Sequence, residues 1–230
     1  MKKRLIASDY DGTLRRNRMV SEEDSQAILR WQQAGGLFGM VTGRGTRMPE
    51  YMDIDTGGRV HCDFYLVHTG AALLDRNGQV LRRKTIAEDV FAQLEAAFAA
   101  WGDAENYDTV DQGKEFCQYS ALMYTNEAAE ERVAQLNQRF GHVVTAYANG
   151  RNINIVARGE GKAEGIGYAL EHFGLGQDAA AVVGDDLNDL DMILHWRGWA
   201  MASGREQVVQ AAEHTCTSIA DLVDQLLNDA

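Results

Sequence analysis

The sequence predicts an α/β fold: a mostly parallel sheet with helices on both faces, interrupted by a smaller α+β domain. Three observations carry this. The runs Leu5 to Ala7, Leu37 to Val41, Phe64 to Val67 and Ala179 to Val183 are almost wholly apolar, as strands buried on both faces of a parallel sheet are. Helical apolar patterns alternate with the first of these runs, and strand, helix, strand is the right-handed βαβ unit. Between Thr85 and Ala157 the order changes to helix, two strands, helix, two strands, a layer able to hold its own core.

Leu5 to Ala7 is the first strand, and it ends in Ser8-Asp9-Tyr10-Asp11-Gly12-Thr13, two carboxylates one residue apart at the lip where open parallel sheets gather ligands. Alternate residues of an extended chain point oppositely, so Asp9 and Asp11 converge only if the chain curls, which Gly12 permits. Alone, the stretch reads equally well as a polar turn. Leu14 to Val20 is expected to form a small hairpin or flap. Ser21 then N-caps a helix, with Asp24 at capping-box spacing and Ala27, Ile28 and Trp31 on its apolar face, ending at Gly35-Gly36. Leu37 to Val41 follows and ends in Thr42-Gly43-Arg44-Gly45. A helix over Arg47 to Met52 tolerates Pro49 near its start. Phe64 to Val67 leads into His68-Thr69-Gly70-Ala71, and Asn77-Gly78 marks a hairpin between Leu73 and Leu81.

The inserted segment opens with a helix marked by Val90, Leu94, Ala97 and Phe98. Of its first two strands the pattern locates Phe116 to Tyr124. A second helix carries Ala129, Val133, Leu136 and Phe140, and strands over Val143 to Tyr147 and Ile153 to Val156 flank the Asn149-Gly150 turn. Trp101, Tyr119, Tyr124 and Tyr147 fall at the spacings of core residues. This divides the chain into a core domain, residues 1–84 and 158–230, and an inserted α+β domain, residues 85–157. The core resumes with a helix from Lys162 to Phe173 capped by Gly174, then the strand Ala179 to Val183, ending in Gly184-Asp185-Asp186-Leu187-Asn188-Asp189. Trp199 to Met201 is a further strand, and helices follow near Gln207 to Ala212 and over Ile219 to Leu227.

A net charge of -12 on 230 residues disfavours a nucleic-acid partner, which demands clustered Lys and Arg. A phosphorylated substrate remains compatible where a divalent cation and a few basic groups neutralise it locally. Cys62, Cys117 and Cys216 form no Cys-x-x-Cys pair, so neither a disulfide framework nor a zinc site is suggested. Met1-Lys2-Lys3-Arg4 is basic like a signal n-region, but only three apolar residues follow it, and no later run has the length to span a bilayer. A cytoplasmic location with no membrane partner is expected.

Four polar clusters end core elements: Asp9 to Thr13, Thr42 to Arg44, Lys162, and Gly184 to Asp189. Each alone reads as a turn, a solvated lysine or a helix start. In this order and at these separations, Asp-x-Asp-Gly-Thr, Thr-Gly-Arg, Lys and Gly-Asp-x-x-Asn-Asp make nearly the whole chain resemble the haloacid dehalogenase superfamily. Within it, the chain is similar to the Cof-type branch, subfamily IIB, whose α+β cap is inserted after the third core strand. Tyr10, His68-Thr69-Gly70-Ala71 and Ala163 depart from the usual pattern without removing a catalytic group.

The resemblance implies a Rossmann-like core and a Mg²⁺-dependent phosphatase acting on a small phosphorylated metabolite, a sugar phosphate or related phosphomonoester. It implies Asp9 as the nucleophile that forms an aspartyl-phosphate, and Asp11 as the acid and base, with a pKa raised by carboxylate neighbours. Asp9, the backbone carbonyl of Asp11, and Asp185 would hold Mg²⁺, with Asp189 reaching it through a bound water. Thr42, Gly43, Lys162 and Asn188 would bind phosphate, and Arg44 and His68 would stand near the leaving group. The residue types suit the chemistry, because an attacking carboxylate and a phosphate repel unless a cation lies between them. Asp186 reads first as a helix N-cap. A phosphomutase of the same superfamily is the alternative, followed by a non-catalytic phosphate-binding or phospho-acceptor protein.

Overall fold

The computed structural model describes residues 4–109 and 116–228; Met1, Lys2 and Lys3 lie outside them. The first half of the core runs β1 (Leu5–Ser8), α1 (Glu22–Gln33), β2 (Leu37–Val41), α2 (Met48–Thr56) and β3 (Phe64–Val67), then the hairpin β4 (Ala72–Asp75) and β5 (Val80–Arg83). Next come α3 (Glu88–Trp101), β6 (Ala104–Thr109), β7 (Gln118–Met123), α4 (Asn126–Phe140), β8 (Val144–Asn149) and β9 (Asn152–Ala157). The chain then continues through α5 (Lys162–His172), β10 (Ala180–Gly184), α6 (Leu190–Trp196), β11 (Trp199–Met201), α7 (Glu206–Ala211), β12 (His214–Cys216) and α8 (Ile219–Asn228).

Eight strands form one sheet in the order β12-β11-β10-β1-β2-β3-β4-β5, parallel from β12 to β3 and antiparallel in the final hairpin. Ile28, Trp31, Leu222 and Val223 pack one face, and Ile166, Leu170, Ile193 and Val208 pack the other. Burial on both faces explains the unbroken apolar strands. The chain leaves β1 towards β2 on one side and returns through β10 on the other, so the strand order reverses beside β1. That switch point opens the crevice in which doubly wound sheets bind ligands.

Residues 88–157 contribute a separate antiparallel sheet, β6-β7-β9-β8, whose core joins Phe91, Leu94 and Phe98 of α3 to Leu136 and Phe140 of α4 and to Tyr119 and Ile155 of the sheet. Strand β6 was not located by pattern because Ala104-Glu105-Asn106-Tyr107-Asp108-Thr109 is polar and lies at the sheet edge, where one face and one rim meet water. Tyr119 is a core residue as expected, whereas Tyr124 is 60% exposed, one residue beyond the end of β7.

Local chemistry sets the other boundaries. Ser21 accepts the Asp24 N–H at 3.0 Å, as its N-cap role requires, but the Asp24 carboxylate does not close a capping box. It accepts instead from Ala220 N (2.9 Å) and Arg16 Nη2 (2.6 Å), joining α1 to α8 and to the flap. Within the expected flap, Arg16 and Met19 exchange backbone hydrogen bonds around Asn17 and Arg18, whose φ values of 52° and 64° suit a primed hairpin turn. Helix α2 runs past Met52 to Thr56, where Gly57 adopts the left-handed conformation that ends helices. Gly36 sits so close to Trp31 that a Cβ there would fall 2.2 Å from the indole, whose N–H donates to Leu37 O at 2.8 Å. No helix among the described residues is long and apolar enough to cross a membrane.

Candidate active site

The site starts where β1 and β10 end. Asp9 keeps its N–H on Val183 O (2.9 Å), so its backbone is still held by the sheet when its side chain enters the switch-point crevice. The chain then turns at Gly12, with φ of 96°; a Cβ there would come within 2.2 Å of Asp185 Oδ2. Only glycine allows both the turn and that approach. Thr13, fully buried, donates its hydroxyl to Asp185 Oδ1 at 2.7 Å.

The Gly184 to Asp189 turn is organised from within. Asp189 Oδ2 accepts the N–H groups of Asp185 (3.0 Å) and Asp186 (3.2 Å), and its Oδ1 accepts Lys162 Nζ at 2.5 Å. Lys162, at the first position of α5, also donates to Asp9 Oδ1 at 2.7 Å. Asp186 caps the turn through Leu187 N (2.7 Å) and pairs with Arg205 Nε (2.7 Å), so its N-cap geometry is as expected. Arg205 also donates its N–H to Asp185 O at 2.8 Å. Thr13 was inside a recognised motif without a role, and Arg205 lay outside every motif; only the fold brings both to Asp185.

Asp9, Asp185 and Asp189 each offer an oxygen within 4.8 Å of the others. Burial, then the charge of Asp189, raises the Asp9 carboxyl well above its ordinary range, against the pull of Lys162. Burial also pushes Asp185 up to about 6, with the Thr13 hydrogen bond opposing and Asp189 and Asp186 adding to it. Burial works against the charge on Lys162, yet Asp189 and Asp9 together hold its pKa above the ordinary value. Three carboxylates against one ammonium leave a formal excess of two negative charges in a buried pocket. An all-oxygen donor set with that excess fits a hard divalent cation. With Lys162 and two N–H groups already on its oxygens, Asp189 is chiefly the organiser of the turn, whereas Asp9 and Asp185 have more open coordination capacity.

The other anticipated residues divide. Thr42, Gly43 and Asn188 line a cavity of about 420 Å³ over this cluster, together with Asp9, Asp11, Arg44 and Asp186. Asp11 does not converge on the other carboxylates. Its side chain, 46% exposed, is gripped by Arg44 through Nε–Oδ2 (2.6 Å) and Nη2–Oδ1 (2.9 Å), with Arg15 Nη1 at 3.5 Å. Arg44 is itself stacked 5.2 Å from the Tyr10 ring and 5.0 Å from Tyr51. The expected carboxylate neighbours of Asp11 are therefore guanidinium groups, because a planar fork matches one carboxylate in two bonds and is steadied by the aromatic faces. The Asp11 carboxylate also lies outside the acidic cluster. His68 does not reach the cavity. It is fully buried after β3 with φ of 53°, and its N–H donates to Arg44 O at 2.8 Å, so its place is beneath the loop.

The inserted layer covers the same cavity with Ser120, Asn149, Asn152 and Asn154. None was anticipated as a site residue. The alternation Asn152-Ile153-Asn154-Ile155 carried the signal, since period two puts both asparagines on the face opposite the buried isoleucines. What the pattern lacked was the knowledge that this face turns to the core.

The family model described as haloacid dehalogenase-like hydrolase matches residues 6–101 and 102–223. Solved structures share the fold. A haloacid dehalogenase-like hydrolase from B. subtilis superposes with a TM-score of 0.83 at 17% identity, over 97% of this chain and 99% of that one. A protein from Bacteroides thetaiotaomicron, described among phosphatases of the haloalkanoate (HAD) superfamily, gives 0.80 at 20% identity, over 98% and 94%. A HAD subclass IIB sugar phosphatase gives 0.80 at 18% identity, over 98% of each chain. With the family match spanning both the core and the inserted layer, this chain belongs to the haloacid dehalogenase-like hydrolase family.

Proposed function

We propose that this hydrolase is a Mg²⁺-dependent phosphatase that cleaves a small phosphomonoester, a sugar phosphate or a close relative, through an aspartyl-phosphate on Asp9. The observation that carries the reading is the meeting of two unlike surfaces on one cavity. The core brings Asp9 to the cavity, with Lys162, Asp185 and Asp189 grouped around it as an excess-negative cluster, and the inserted layer supplies uncharged Ser120, Asn149, Asn152 and Asn154. The first surface suits a cation and a phosphoryl group, and the second suits the hydroxyls of a neutral leaving group. The sugar-phosphatase description of a structural relative is in keeping with this.

Bound Mg²⁺ would be held by Asp9 and Asp185 and would supply the charge that lets an anionic nucleophile approach an anionic phosphate. Lys162 occupies Asp9 Oδ1, so Oδ2 is the oxygen left for attack on phosphorus. Thr42, the Gly43 N–H, Lys162 and Asn188 take the non-bridging oxygens, placing donors where charge grows in the transfer. Asp11 protonates the departing alkoxide and afterwards deprotonates the water that hydrolyses the intermediate. To do so it exchanges its Arg44 pair for the reacting oxygen. The asparagine face over the site excludes bulk water during the first transfer and selects the alcohol.

The test is a screen of phosphorylated metabolites for phosphate release with and without Mg²⁺. Asp9→Asn is expected to lower turnover of the best substrate by about 10⁴-fold or more, the scale on which nucleophile removal acts. Normal turnover by Asp9→Asn would sink the assignment. Turnover only with a bisphosphate activator, without net phosphate release, would point to a mutase.

A further inference from the structure

Gln118 opens β7 in the inserted layer, yet its carboxamide, 1% exposed, is engaged with the core. Its Nε2 donates to the Gly43 carbonyl at 3.0 Å, and its Oε1 accepts the Thr69 hydroxyl at 2.6 Å. A carbonyl oxygen can only accept, which fixes the nitrogen end of the amide towards Gly43 and the oxygen end towards Thr69. Thr69 is anchored in turn: it holds a left-handed φ of 54° and its N–H donates to Thr42 O at 2.9 Å.

The Gly43–Arg44 peptide is planar and trans, so the N–H on its far edge points opposite to the carbonyl that Gln118 holds. That N–H, of Arg44, meets Thr42 Oγ1 at 3.2 Å. With its oxygen engaged as an acceptor, the Thr42 hydroxyl has its own proton to give, and Thr42 lines the cavity. Gln118 Nε2 also lies 3.0 Å from Ser120 Oγ and 3.1 Å from Asn154 Oδ1, two of the groups that cover the same cavity.

We infer that Gln118 is a positioning residue for phosphate binding: by holding the Gly43–Arg44 peptide it sets the Thr42 hydroxyl to donate, and it thereby ties the inserted layer's seating to the phosphate clamp. The inference rests on the reading of this cavity as a phosphate site. A buried glutamine that only satisfied its neighbours would contribute to stability and leave phosphate affinity alone.

The experiment measures inorganic phosphate binding in the presence of Mg²⁺ by calorimetry for the full chain and for Gln118→Met, Thr42→Ala and the double variant, with melting curves for each. Gln118→Met keeps the length and packing but loses the donor, and phosphate affinity is expected to fall about 10-fold, the scale of one hydrogen bond. On the Thr42→Ala background the same change is expected to cost less than about 2-fold, since residues acting through one another are not additive. Thr69→Val, which frees the far end of the amide, should weaken binding in the same direction by a smaller factor, and it decides the matter if Gln118→Met does not fold. Unchanged phosphate affinity in Gln118→Met, or an equal loss in both backgrounds, overturns the inference. A wild-type protein that binds phosphate but releases none from any monoester refutes the phosphatase reading, while the affinities still judge Gln118; a wild-type protein that binds no phosphate overturns both.

Discussion

The two walls of the cavity differ in charge. The core wall carries the charges of Asp9, Asp11, Arg44 and Asp186, and Asp9 accepts from Lys162, which also pairs with Asp189, these last three being at most 6% exposed. Across the cavity the inserted layer presents hydroxyl and carboxamide groups. It is not short of charged residues: Arg132 pairs with Asp103 and Arg151 with Glu105, away from the cavity. Charges that act on phosphorus gain strength from burial, and burying them is tolerable only when each is paired and hydrogen-bonded. Groups that would read hydroxyls need no charge, so they can stand on alternate positions of a strand whose other face builds a core.

Removing the only ammonium of the buried cluster by Lys162→Met leaves Asp9 and Asp189 unpaired, and breaking a buried pair costs about 3–5 kcal/mol. The variant should therefore melt far below the wild type in chelator near neutral pH and regain part of the loss with Mg²⁺. A melting curve unmoved by Lys162→Met would mean that the cluster is not the charged keystone described above.

A smaller effect should appear in the pH dependence. Asp185 is raised to about 6 from an ordinary value of 3.8, and Asp9 shifts the same way, so the folded, cation-free protein binds these protons more tightly than the unfolded chain does. The Asp185 contribution favours folding at and below the ordinary value and is lost as pH rises through about 6. In chelator, the contribution of Asp185 to stability should shrink between pH 4 and 6, and Asp185→Asn should remove that component. Mg²⁺ binding should run the other way, weakening by at least about tenfold per unit as pH falls below about 6, because protons compete with the cation for Asp185 and for Asp9. Calorimetric titrations at pH 5 and 7 check this, and equal affinities would count against Asp185 as a ligand.

The smallest expected change belongs to the uncharged wall. Asn152→Ala should lower kcat/KM for the best phosphomonoester of the screen by about tenfold or less, the worth of a single neutral hydrogen bond, while inorganic phosphate affinity stays within about twofold. Loss of phosphate affinity as large as the loss of kcat/KM would show that the two walls do not divide the work.

By itself the sequence determined the buried strands, the break in pattern near Thr85, and the four clusters at Asp9, Thr42, Lys162 and Asp185. These are local properties: a doubly buried strand must be apolar throughout, and a turn at a strand's end shows its polar residues in consecutive positions. It also determined Ser21 as a cap, because capping spans only three residues. Tertiary structure alone decided what each group faces. Asp11 meets Arg44 instead of a carboxylate, Asp24 leaves its helix cap for α8, and His68 is shut beneath a loop. Thr13, Arg205 and Gln118 reach the site through partners 172, 20 and 75 positions away, Asp185, Asp185 and Gly43. Hydrogen bonds over such separations are set by how elements pack, and residue pattern reports only the face a side chain takes within its own element.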